Sequence, residues 1–134
     1  MTQEELSKVD TILIAAQQRF GHYGLCKTTM NEIAEDIGMS KAALYYYYSD
    51  KEKLFEAVVE KEQDEFIYEV QKLLEEDKDT KWVLNEYLRK RQQYGQKFQN
   101  LAKLKYDALM TPKPCIEKLK NTFQAKETEI VVQI

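Results

Sequence analysis

The side chains whose types and spacing suit a chemical task are concentrated in "TTMNEIAEDIGMSKAALYYYYSDKEKLF", residues 28–55. The task they suit is recognition rather than bond-making. Thr29 and Ser40 each stand where a helix is expected to begin, and a helix N-terminus offers free backbone N–H groups and the positive end of its dipole to a phosphate. Lys41, Ala42 and Ala43 lead the segment after Ser40. In a major groove, lysine can donate to guanine O6 or N7 and alanine can pack on a thymine methyl. Tyr45 and Tyr46 follow; a phenol can donate to a phosphate oxygen while its ring lies along the sugar backbone. Lys51, at the start of the next helix, completes the set as a phosphate partner.

The tyrosine run 45–48 divides by geometry. On a helix beginning after Ser40, Tyr47 and Tyr48 lie one turn beyond Leu44 and share its inward face, whereas Tyr45 and Tyr46 are rotated from it by about 100° and 200°. Tyr47 and Tyr48 are therefore expected to wedge this helix against the first and fourth helices, with Tyr45 and Tyr46 facing outward.

No comparable pattern supports catalysis. His22 is the only histidine, and the chain shows no nucleophile–base pair, metal-ligand spacing or phosphate loop, so no enzyme, cofactor or metal site is expected. Cys26 and Cys115 stand far apart without a CxxC spacing, as reduced cytosolic thiols do. The N-terminal segment is acidic where a signal peptide is basic, and its apolar run "ILIAA" is too short to span a bilayer. A cytoplasmic protein without membrane contact is the expectation. The net charge is -3 and acids outnumber bases in residues 1–54, so any DNA contact must rest on local clustering of positive charge.

The elements that must position these residues are helices nearly throughout: the 134 residues contain only four glycines and two prolines and are rich in Glu, Lys, Gln, Leu and Ala. Ser7 and Asp10 form a candidate capping pair for a first helix bearing Val9, Ile12, Leu13, Ala16 and Phe20 on one face, ended by "GHYG" (21–24). Thr29 with Glu32 opens a second, which Gly38 stops; Ser40 caps a third and Asp50 a long fourth. The fourth carries Leu54, Val58, Phe66, Val70, Leu73 and Leu74 inward over about 25 residues, or about 38 Å. "DKDT" (77–80) interrupts, and a fifth helix is expected from Lys81 toward Met110, ended by "TPKP" (111–114). One or two further helical segments follow. The apolar Ile130, Val131, Val132 and Ile134 are expected to bury against a partner or to continue in a longer polypeptide.

Residues 30–49 meet the demands of a helix-turn-helix. Ala34 is the small residue where two helices cross, Gly38 makes the turn, and Ile33, Ile37, Met39 and Leu44 are the apolar residues that hold the pair. This stretch resembles the N-terminal signature of the TetR family of transcriptional regulators. It matches at Thr29, Ile33, Ala34, Gly38, Met39, Ser40, Leu44, Tyr45, Lys51, Glu52 and Leu54, and departs at Tyr47 and Tyr48, where the family often has His-Phe. Beyond residue 80 only the helical pattern is similar, and the chain has room for six or seven helices against the family's roughly nine.

The resemblance implies an all-α protein with a three-helix DNA-binding domain over 1–50. A long fourth helix would join it to a helical bundle over 51–134 that binds an effector and dimerises. It implies DNA-contact roles for Thr29, Ser40, Lys41, Tyr45 and Lys51, a double-stranded operator as partner, repression relieved by a small molecule, and a homodimer where the full dimer interface is present. Trp82, Tyr87, Tyr94, Phe98 and Tyr106 are the candidate effector-pocket residues, with plain core packing as the alternative. The rival reading of the whole chain is a protein-interaction module that has lost DNA binding.

Overall fold

Capping residues set most of the architecture. The computed structural model describes residues 2–110 and 113–134, apart from the side chains at 105 and 108. Every regular element among them is helical: α1 (Gln3–Tyr23), α2 (Met30–Asp36), α3 (Lys41–Tyr47), α4 (Lys51–Glu75), α5 (Thr80–Lys97), α6 (Gln99–Ala102), α7 (Leu104–Met110) and α8 (Pro114–Val131). The chain forms two compact units, one ending at Val58 and one running from Val59 to Ile134. The division falls inside α4, past the expected boundary at residue 50, because Leu54, Phe55 and Val58 belong to the core of the first unit.

In that first unit α1 starts earlier than the Ser7–Asp10 pair suggests. Thr2 is the cap, its hydroxyl oxygen accepting the Glu5 N–H at 3.1 Å, and Glu4 and Glu5 occupy the first turn where the dipole favours acids. Ser7 lies inside the helix, where its carbonyl accepts the Thr11 hydroxyl at 3.0 Å. Of "GHYG", only Gly24 terminates α1, at φ 85°; Gly21, His22 and Tyr23 are still helical.

α2 opens with a complete capping box between Thr29 and Glu32. It closes at Gly38, whose φ of 64° disfavours residues with a Cβ although nothing lies within 4 Å of where a Cβ would sit. Ser40 Oγ accepts the Ala43 N–H at 3.1 Å to start α3, and Asp50 Oδ1 accepts the Lys53 N–H at 2.8 Å to start α4. Ile12, Ala16, Phe20, Ile33, Ala34, Leu44, Leu54, Phe55 and Val58 are at most 1% exposed. Phe20 and Phe55 meet edge to face with centroids 5.2 Å apart.

The second unit departs further from expectation. The single helix foreseen from Lys81 to Met110 is broken into α5, α6 and α7. Phe98 leaves the helical region at φ -120° and ψ 67° and is 2% exposed. The break is stabilised from a distant position: Glu62 on α4, fully buried, accepts the Leu101 N–H at 2.9 Å and the Asn100 side-chain amide at 2.8 Å. Glu62 thereby caps α6, whose own N-cap residue makes no side-chain hydrogen bond. Gly95, a poor helix former near the end of α5, weakens the alternative of a continuous helix.

Of "TPKP", Thr111 and Pro112 lie outside the described residues, and Pro114 begins α8, a position that suits its missing N–H and fixed φ. α8 is one helix through Val131; Ile130 is buried and Val132 exposed. Beside Glu62, Gln63 is also fully buried; its Nε2 donates to the Leu119 carbonyl at 3.1 Å, while its Oε1 has no partner among the described residues.

Candidate nucleic-acid interface

α3 is anchored by one side chain and leaves its opposite side open. Leu44 is 0% exposed, whereas Tyr45 is 40% and Tyr46 75% exposed, and Lys41 and Ala42 are exposed beside them. The Lys41 ammonium lies 5.8 Å from the Tyr45 ring centroid, which keeps the cation on the outer face. Ala43 is half-buried beside Tyr46. It lines a groove with Lys8 and Thr11 of α1, Ile37, Met39, Tyr46 and Tyr47.

Tyr47 and Tyr48 are half-buried, as the spacing requires, and they turn toward α1. Burial pushes the Tyr48 hydroxyl above its ordinary value, and the nearby Asp10 carboxylate adds to the shift. Tyr47 meets Tyr46 edge to face at 5.0 Å. The four rings thus divide into two tucked beside α1 and two presented outward.

Thr29 stands at the N-terminus of α2 with both its donors committed. Its N–H and its hydroxyl donate to Glu32 Oε1 at 3.0 and 2.8 Å, and its hydroxyl oxygen accepts the Glu32 N–H at 3.1 Å. Ser40, exposed, keeps its hydroxyl proton available while its oxygen caps α3. Lys51, half-buried at the start of α4, and the exposed Lys53 have no carboxylate within ion-pair distance among the described residues.

Arg19 and Thr28 have roles that residue-by-residue reading passes over. Arg19 forks onto Asp36 at 2.7 and 2.9 Å and reaches Glu32 Oε2 at 3.2 Å, tying α1 to α2. This hydrogen bonding holds the Asp36 carboxyl below its usual range and raises Arg19 further above its own. Two acids of α2 are thereby matched to one cation, which reduces the repulsion a phosphate would meet. The signal was present in the sequence: Glu32 and Asp36 are spaced i, i+4 and share one face, so a single arginine on a neighbouring helix can serve both. Thr28, 1% exposed, donates to the Gly24 carbonyl at 2.8 Å and fixes the loop before α2.

The aromatic candidates of the second unit are only partly gathered. Tyr94 lines a cavity of about 110 Å³ and stacks with Phe123, their centroids 6.0 Å apart. Phe98 is buried in the same ring cluster, 6.0 Å from Phe66. Tyr87 donates to Glu127 Oε2 at 2.8 Å; burial, with that hydrogen bond second, pushes its hydroxyl up to about 12. Trp82 is half-buried with the Lys78 ammonium 5.7 Å from its ring, and Tyr106 is 61% exposed. Of the five candidates only Tyr94 lines that cavity. Cys26 and Cys115 are unbridged. Among the described residues no group of three or more His, Cys, Asp or Glu could hold a metal ion, and no helix is long and apolar enough to cross a membrane.

Comparison with known proteins agrees with this geometry. The family described as bacterial regulatory proteins, tetR family, matches residues 12–58, which run from α1 to the end of the first unit. The nucleoid occlusion factor SlmA of Aliivibrio fischeri is 32% identical over 80 residues, covering 59% of this chain and 41% of that protein. A transcriptional regulator from Cytophaga hutchinsonii is 50% identical with a TM-score of 0.77, over 92% of this chain and 63% of that one. A TetR family regulator from Marinobacter aquaeolei shares the fold at a TM-score of 0.75 and 24% identity, over 98% of this chain and 68% of that one. The chain thus spans about two fifths of its curated relatives' length and less than two thirds of the Cytophaga regulator's.

An α2–turn–α3 pair packed on α1 and the start of α4 defines a helix-turn-helix regulator fold. Over residues 12–58 the chain matches the tetR family of bacterial regulatory proteins, and it is similar in fold to the Cytophaga transcriptional regulator.

Proposed function

We propose that this protein is a cytoplasmic one-component transcriptional repressor that binds double-stranded operator DNA through α3 and is released by a small-molecule effector. The observation that carries the reading is the split character of α3. A single fully buried anchor, Leu44, holds a helix whose outer side presents Lys41, Ala42, Tyr45 and Tyr46, and a ring left 75% exposed gains little from packing. In this reading Lys41, Ala42 and Ala43 enter the major groove first. Tyr45 and Tyr46 lie along the backbone, and Ser40, Lys51 and the N-terminus at Thr29 meet phosphates. Thr29 makes its contact only as Glu32 gives up part of its hold.

A homodimer would place two copies of α3 about 34 to 36 Å apart, one turn of DNA. The effector would bind in the second unit at Tyr94, with Tyr87 and Phe98 nearby and Trp82 and Tyr106 outside the immediate wall. Since α4 contributes to both units, its displacement there would reach α3 and change the half-site separation.

The test is binding to operator duplex across a salt series. Lys51→Ala should weaken binding to all sequences and lower the salt slope by about 0.9. Tyr45→Phe should weaken binding uniformly, and Lys41→Ala should also relax sequence preference. Unchanged affinity in all three removes α3 as the docking face. The interaction-module reading draws support from the exposed apolar side chains on α1, Leu6 at 47%, Ile14 at 51% and Tyr23 at 51%. Absence of DNA binding at low salt would select it.

A further inference from the structure

The small cavity of the second unit is chemically lopsided. Arg91, Lys120 and Glu127 line it, together with Tyr94, Phe123 and Leu104. Glu127 is already engaged through both oxygens: Arg91 Nε and Nη2 reach them at 3.1 and 3.2 Å, and the Tyr87 hydroxyl donates at 2.8 Å. Arg91 meets that carboxylate through only two of its three nitrogens. Its Nη1 has no carboxylate among the described residues, and its guanidinium lies 4.5 Å from the Tyr94 ring centroid. The cation is thereby held against the aromatic wall that Tyr94 and Phe123 build.

Among the described residues Lys120 is held only by Glu117 at 3.2 Å, an i, i+3 pair whose acid side chain is 55% exposed. Such a surface pair contributes little and yields readily to a better partner. An entering cation would find only a carboxylate whose oxygens are already occupied. An entering anion would find a guanidinium nitrogen with no carboxylate partner among the described residues, a loosely held ammonium and an apolar wall.

Volume limits the rest of the ligand. At about 110 Å³ the cavity is smaller than the ~150 Å³ that admits benzene, so a body of about four carbons beside one charged group is the scale. We propose that this cavity is an anion-selective site for a small aliphatic monocarboxylate, the carboxylate on Arg91 and Lys120 and the alkyl group against Tyr94 and Phe123. That this ligand is the effector rests on the regulator reading above.

The experiment is a backbone-amide NMR titration of the chain, without DNA, using isobutyrate, isobutanol and isobutylamine as a matched series. Isobutyrate should saturate at about millimolar concentration, the scale for a ligand of about six heavy atoms, with shifts centred on Arg91, Tyr94, Lys120 and Phe123. The alcohol and the amine should bind about tenfold more weakly, the loss expected for one charge-assisted contact. Lys120→Gln, which leaves the Arg91–Glu127 pair intact, should weaken isobutyrate several-fold and leave isobutanol unchanged.

Equal binding of all three probes, shifts centred elsewhere, or isobutyrate binding insensitive to both Lys120→Gln and Arg91→Gln would overturn the site. Repeating the titration as a DNA-release assay separates the two readings. Saturable binding with unchanged DNA affinity keeps the anion site and removes its regulatory meaning, while release by an uncharged ligand with no isobutyrate binding keeps the regulator and removes the anion site.

Discussion

The two compact units solve the same problem, ending helices and satisfying buried polar groups, by different means. In the first unit the caps are local: Thr2, Thr29, Ser40 and Asp50 each accept a backbone N–H three residues ahead. In the second unit Asp79 caps α5 in that way, but α6 is capped by Glu62 from 39 residues upstream, and Gln63 reaches Leu119 across 56. A chain with local caps can form its turns before its tertiary contacts exist. One that borrows its caps forms its turns only as it packs.

The largest effect should fall on the borrowed cap. Glu62→Ala leaves the Leu101 N–H and the Asn100 amide buried without their acceptor, and should cost about 3 kcal/mol or more in the second unit. Urea denaturation followed by the fluorescence of Trp82, the single tryptophan, reports on that unit. Glu62→Gln, which keeps one acceptor, should lose less. A midpoint unchanged in Glu62→Ala would mean that the α5–α6 break does not depend on Glu62. In the first unit Leu44→Ala should cost about 2–5 kcal/mol through the cavity left beneath α3, read by thermal melting.

Smaller effects test the local caps. Gly38→Ala should cost about 1 kcal/mol, all of it conformational, since nothing stands near the added Cβ. A larger loss would point to a close neighbour the structure does not show. Ser40→Ala should cost about 1 kcal/mol, and Ser40→Gly only a few tenths; equal losses would deny the hydroxyl its capping role.

The smallest effect is electrostatic. Arg19 lowers the Asp36 value on folding, so the pair's contribution is present above the unfolded carboxylate value of about 3.9 and is lost as pH falls through the lower folded value. Asp36→Asn should therefore narrow its stability gap to wild type in acid. At this exposed site the gap near neutral pH should be no more than about 1 kcal/mol.

The same contrast explains what could be read from the sequence. Thr29 with Glu32, Gly38, Ser40 and Asp50 announce themselves because the donor and acceptor lie within one turn, and Leu44 follows from helical period. Thr2 is masked by Ser7, another hydroxyl residue in the same acidic stretch, and the role of Arg19 is hidden because its partners belong to another helix. The break after α5 was not legible: the run from Lys81 to Met110 keeps helical composition throughout, and what divides it is Glu62, an acid on the inward stripe of α4 between Val58 and Phe66 whose partners lie 38 and 39 residues away. Of the aromatic candidates, Tyr94 and Phe98 share one cluster while Tyr106 is largely exposed, a distinction that depends on the same break.

The central claim is that the outer face of α3 reads DNA. Its most direct test is selection from a pool of random duplexes at low and moderate salt, with the wild type and a Lys41→Ala, Tyr45→Phe double variant run in parallel. The account predicts that the wild type enriches a defined sequence, as an inverted repeat when two copies bind together, and that the double variant does not. Enrichment of no sequence at either salt, or of the same sequence equally by both proteins, would contradict it.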